Sequence, residues 1–152
     1  MFAVGLGAQT MVQPKGECDS LMNAVLPVAE KMLKEHGEFF PYGGAMRPTG
    51  EIVSVAGYDG REKPPSADII RLLKTSFRQS AQDREYKATA IVYDVRIVPP
   101  QTGIKSDAIA VALEHRDDYS VVVFFPYRIA RGELIFGETF AQKGGDDVFA
   151  RK

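Results

Sequence analysis

Four segments decide how this chain folds: ATAIVYDVRIV at residues 88–98, AIAVALEH at 108–115, YSVVVFFPY at 119–127 and ELIFGETF at 133–140. Each is rich in β-branched and aromatic residues, and little more than a turn separates one from the next. They read as consecutive strands of one antiparallel meander. Pro99-Pro100 closes the first strand, Gly103 helps return the chain, and Asp117-Asp118 reads as a two-residue turn between the second and third. With that turn Leu113 faces Val122 and Val111 faces Phe124. One face then carries Ile109, Val111, Leu113, Val122 and Phe124. The other carries Ala108, Ala110 and Ala112 beside Val121, Val123 and Phe125. A sheet wetted on one side would alternate apolar with polar residues, so two apolar faces each need a cover.

Upstream, Met22, Val25, Ala29, Met32 and Leu33 recur at helical spacing between Cys18 and His36, with Gly37 as the stop signal. Pro27 lies inside this helix, removes one backbone donor and predicts a kink near Asn23. Glu38 to Met46 and Glu51 to Gly57 form a hairpin about Arg47-Pro48-Thr49-Gly50. After a polar stretch ending in Pro64-Pro65, Ser66 can cap a second helix, whose buried stripe is Ile69, Ile70, Leu73, Phe77 and Ala81. The expected architecture is α+β: a six-stranded antiparallel sheet with both helices packed on one face and the first hairpin beside the last strand. Residues 17–141 make one domain, 1–16 a loose arm and 142–152 a flexible tail. The order helix, hairpin, helix, meander resembles that of roadblock and profilin-like domains.

Charge and composition exclude several classes of function. Among 152 residues, 19 basic side chains against 20 acidic ones leave a net charge of -1, without the clustered positive surface that nucleic-acid binding needs. No apolar run approaches the roughly 20 residues of a membrane-spanning helix. The N-terminal residues lack the positive region of a secretory signal. One cysteine and two histidines far apart in sequence make neither a disulfide nor a zinc site, so no metal or cofactor is expected and a reducing cytoplasm fits best.

The residues with chemical potential are scattered. Glu114-His115-Arg116-Asp117-Asp118 is the densest polar cluster, but strand alternation sends Glu114 and His115 to opposite faces, and a solvated hairpin tip is the simpler reading. Asp94 and Arg96 share one strand face, near enough to pair with each other or to floor a pocket for a small polar ligand. Tyr42 and Tyr127, which close the related strings Phe39-Phe40-Pro41-Tyr42 and Phe124-Phe125-Pro126-Tyr127, complete the candidate ligand contacts. Gly43-Gly44 reads as a ligand lip or, more simply, a strand bulge. Lys105-Ser106-Asp107 has no histidine beside it to activate a hydroxyl. Cys18 at a helix start reads as passive between Glu17 and Asp19. No catalytic residue is assigned.

Together Glu38-Phe39-Phe40-Pro41-Tyr42-Gly43, Tyr58-Asp59-Gly60, Tyr93-Asp94-Val95-Arg96, Lys105-Ser106-Asp107-Ala108-Ile109 and Leu113-Glu114-His115-Arg116 resemble a group of small, uncharacterised bacterial α+β proteins across roughly residues 21–141. The resemblance implies a bacterial, cytoplasmic, single-domain protein and carries no activity with it. Two apolar sheet faces and no catalytic set lead to the expectation of a non-enzymatic protein-interaction module acting as a homodimer. The alternatives are a small-molecule binder or weak enzyme with a pocket near Asp94 and Arg96, and a toxin-neutralising immunity-type protein.

Overall fold

The meander occupies the middle of an open antiparallel sheet in an α+β domain. A computed structural model of the chain describes residues 13–57 and 60–149. Its elements run α1 (Lys15–His36), β1 (Tyr42–Met46), β2 (Ile52–Ala56), α2 (Ser66–Gln82), β3 (Ala88–Ile97), β4 (Ser106–His115), β5 (Tyr119–Ala130), β6 (Glu133–Phe136) and β7 (Phe140–Lys143). Laterally the order is β2-β1-β3-β4-β5, with β6 and β7 sharing the outer edge of β5. The hairpin therefore lies beside the first strand of the meander rather than the last. α2 carries the chain from β2 across β1, so β2 and β3 run parallel with β1 between them.

Among the described residues there are seven strands where six were expected, because the segment 133–140 divides in two. β6 pairs Tyr127 with Phe136, whereas β7 pairs Phe124 with Phe140, so the register slips by one residue between them. The slip falls opposite Pro126, which has no N–H to donate to that edge; its carbonyl accepts the Gly137 N–H at 2.8 Å. A second difference lies at the β4–β5 turn. His115 faces Tyr119 and Leu113 faces Val121, so Arg116, Asp117 and Asp118 all belong to the loop. Asp118 takes a left-handed φ of 64°, which Asp tolerates and a three-residue loop requires. One extra loop residue turns every β5 side chain to the opposite face. Val121, Val123 and Phe125 thus join Ile109, Val111 and Leu113, and Val122 and Phe124 join the alanines.

The helices cover opposite faces, not one. α1 buries Cys18, Leu21, Val25, Ala29 and Leu33 against Ala90, Val92, Val111 and Leu113. α2 buries Ile69, Leu73 and Phe77 against Ala45 and Ile91 on the other face, each side chain contributing about 1.5–3 kcal/mol of transfer free energy. The dipeptide Gly43-Gly44 makes this possible. A Cβ on Gly43 would sit 2.9 Å from Phe77 Cζ, and one on Gly44 would collide with Val25 Cγ1. Consecutive strand residues face opposite ways, so each glycine admits one helix. They form neither a bulge nor a lip, being regularly paired with both β2 and β3.

α1 runs as one element through Pro27. Two residues away, the Tyr42 hydroxyl donates to the Val25 carbonyl at 2.6 Å and accepts the Ala29 N–H at 2.9 Å, inserting where the helix's own bond would run. The segment from Gln142, expected as a loose tail, is built into the fold: β7 extends to Lys143, and Val148 and Phe149 pack with α2. At the other end Lys15 and Gly16 belong to α1, while residues 1–12 of the expected arm lie outside the described residues.

Candidate functional site

The two ends of β4 differ sharply. At its C-terminal end the cluster expected to be a solvated tip is buried: Glu114 is 5 % exposed and His115 is 0 % exposed. Their side chains do point to opposite faces, and each fastens one terminal region of the described fold. His115 meets Glu17 at the start of α1, Nε2 to Oε1 2.9 Å, while its Nδ1 accepts the Asp117 N–H at 3.0 Å. Nε2 therefore carries the proton and donates to the carboxylate. Lys87 pairs with the other Glu17 oxygen. Burial alone would raise the Glu17 carboxyl, but the hydrogen bonds and charges of Lys87 and His115 outweigh it and hold it below its ordinary range. On the other face the Glu114 carboxylate accepts three successive backbone N–H groups, from Asp147 at 3.0 Å, Val148 at 3.0 Å and Phe149 at 2.6 Å. Such groups are anchors, saturated with partners and closed to water. Cys18 beside them is fully buried, and its thiol is pushed up to about 12 by burial and by nearby Asp19, Glu17 and Glu114.

The opposite end of the sheet is open. There a cavity of about 580 Å³ lies between the β3–β4 loop and the β5–β6 hairpin, within the size range of small-molecule sites. Pro99, Gln101, Thr102 and Ile104 approach it from the loop; Pro126, Tyr127, Ile135 and Phe136 approach it from the hairpin. The loop is shaped by the Thr102 and Gly103 N–H groups, which both bond the Pro99 carbonyl. Across from it, Arg131 and Gly132 with φ of 52° and 78° make the tight two-residue turn of the hairpin.

Of the four residues proposed from sequence, Arg96 and Tyr127 line this cavity. Asp94 lies behind Tyr127 and accepts its hydroxyl at 2.8 Å. Burial raises the Asp94 carboxyl above its usual range; the Tyr127 bond opposes this, and the carboxylates of Asp107 and Glu38 add to it. Asp94 and Arg96 do not pair with each other. The Arg96 guanidinium instead reaches Asp107 across the strand pair at 3.1 Å. Tyr42 lies on the same sheet face but its hydroxyl belongs to α1, and it does not line the cavity.

Sequence reasoning missed Ile104, Lys105, Arg128, Ile135, Phe136 and Glu138 as lining residues. The available signal was the eight-residue interval between β3 and β4, longer than a tight turn, since loops displayed on a rigid sheet are where binding residues concentrate. Ser106, set aside as a nucleophile, lines the cavity with its hydroxyl donating to the Asp107 carbonyl at 2.9 Å. Among the described residues no three His, Cys, Asp or Glu side chains gather as metal ligands, and no helix is long and apolar enough to cross a membrane. No protein-family model matches the chain, and comparison with curated proteins and with solved structures returns no match.

Proposed function

We propose that this protein is a non-enzymatic binding module whose site is the cavity between the β3–β4 loop and the β5–β6 hairpin. The observation that carries the reading is the cavity itself. It is a concavity of about 580 Å³, it is flanked by two elements of well-defined turn geometry, and it joins apolar walls to a few charged groups. The hydroxyls there are already committed, Tyr127 to the Asp94 carboxylate and Ser106 to a backbone carbonyl, and the arrangement favours holding a ligand over transforming it. Nuclear magnetic resonance with a library of small organic molecules tests this. Binding should shift the Ile104, Ile135 and Phe136 signals together and leave those of His115 and Leu73 in place. A library whose hits scatter over the molecule, or that yields none, removes the reading.

Homodimerisation keeps a narrower basis than the sequence suggested. The underside expected to be bare carries α2 over β1 and β3 and the C-terminal segment near Glu114. What is left without a helix is the strip of Val95, Phe124 and Phe140, in which the two phenyl rings stack at 5.0 Å and Phe124 is only 8 % exposed while Val95 and Phe140 are half-buried. A second copy of the chain packing its own Phe140 here would bury the remaining surface of Val95 and Phe140. Sedimentation velocity should then show a dimer that Phe140→Asp dissociates. A monomer at every concentration would end this second reading.

A further inference from the structure

The ligand class follows from the charges around that cavity, provided the cavity is the binding site. Its lining carries three cations, Arg96, Lys105 and Arg128, against two carboxylates, Asp107 and Glu138. Arg96 and Asp107 neutralise each other at 3.1 Å. Among the described residues neither Lys105 nor Arg128 has an ion pair or a side-chain hydrogen bond, which leaves two cations against the single carboxylate of Glu138 in the lining. This local positive excess runs against the net charge of -1 of the whole chain. The neighbouring neutral groups offer little to an anion. Tyr127 gives its proton to Asp94, and the Thr102 hydroxyl is engaged with Ile104 of its own loop. The walls are apolar and wet: Ile104 is 71 % exposed and Phe136 40 % exposed, large side chains that a ligand body would shield from water.

We infer that the cavity takes an amphipathic anion, a carboxylate or sulfonate attached to an apolar ring or chain. The anionic head meets Lys105 and Arg128, whose planar fork matches two oxygens at once, and the apolar body lies against Ile104 and against Ile135, which pairs with Arg128 across β5 and β6 and shares its face. A cationic ligand would find Asp94 and Asp107 already engaged and only Glu138 left to receive it, beside two cations.

A pair of fluorescent dyes separates this inference from the reading beneath it. Anilinonaphthalene sulfonate carries an anionic group on the same ring system that N-phenyl-1-naphthylamine presents without charge. The sulfonate should bind about tenfold more tightly than the neutral dye, as charge-assisted hydrogen bonds would give, and added salt should weaken it. The surface double variant Lys105→Ala, Arg128→Ala should remove that advantage while leaving the neutral dye and the thermal midpoint unchanged. Ile135→Asp should weaken both dyes. Equal affinity for the two dyes, or a sulfonate preference that survives the double variant, overturns the anion inference and leaves the cavity reading standing. Failure of both dyes to bind, or indifference of both to Ile135→Asp, overturns the cavity reading as well.

Discussion

The two ends of β4 present charged residues in the same way along the sequence and use them in opposite ways in the fold. At the His115 end every carboxylate oxygen that enters the interior meets a donor: Glu17 has Lys87 and His115, and Glu114 has three backbone N–H groups. At the Ser106 end Arg96 and Asp107 pair in the open, 59 % and 44 % exposed, beside a cavity with unpaired cations. The lesson concerns environment rather than residue type. Low dielectric and full satisfaction turn charge into a fastening, while water and free valence leave it available to a ligand.

The contrast can be broken most forcefully at Glu114. Glu114→Ala would leave the Asp147, Val148 and Phe149 N–H groups without their acceptor and release the segment that packs with α2. We expect a loss of about 3–5 kcal/mol in urea unfolding, the range for breaking a buried charged network. An effect below about 1 kcal/mol would show that the segment holds by its apolar contacts alone.

A smaller loss, about 2–3 kcal/mol, is expected for Glu17→Gln at neutral pH. Its sharper signature is pH dependence. The folded carboxyl lies below its unfolded value of about 4.3, so its stabilisation is complete above that value and disappears as the pH falls through the folded one. Stability curves of the parent protein and the variant should therefore converge on acidification. Parallel curves down to strongly acidic pH would contradict the arrangement.

Asp94 should give the smallest change, with the opposite sign of pH dependence. Its folded carboxyl is raised by burial, so the folded state holds this proton more tightly than the unfolded chain, and stability declines as the pH climbs from about 3.9 through the folded value. Asp94→Asn should cost less than about 1 kcal/mol at neutral pH and flatten that decline. A large loss at neutral pH would mean that the ionised pair with Tyr127 is itself a fastening, erasing the difference between the two ends.

Much of the architecture was legible because periodicity speaks directly to it. The helices from Leu21 to Leu33 and from Ile69 to Phe77, the first hairpin and the three central strands all appear where apolar spacing put them. What was illegible depended on single residues. The left-handed conformation of Asp118 adds one residue to a turn and inverts β5, and no hydropathy pattern encodes that when both faces are apolar. The placement of α2 on the second face turned on reading Gly43-Gly44 as two separate close approaches, visible only once the partners Phe77 and Val25 are known. The polar tip was misjudged because Glu17 and the backbone of residues 147–149 are distant in sequence from Glu114 and His115. At the cavity, Arg96 was identified from strand alternation and Tyr127 from the repeated Phe-Phe-Pro-Tyr string, whereas Lys105 precedes β4, where alternation has nothing to say, and Arg128 lies in a stretch of β5 whose partner β6 was not separately resolved in the sequence.

The Tyr42 hydroxyl, lodged between Val25 and Ala29, acts as a key that indexes α1 along its own axis. Sliding the helix by one turn would shift it about 5.4 Å and present the phenol with backbone already bonded to itself. α1 is thus denied the small translations by which packed helices ordinarily adjust to a disturbance. Strain arriving from the sheet must be absorbed elsewhere, in the strands or at the loops.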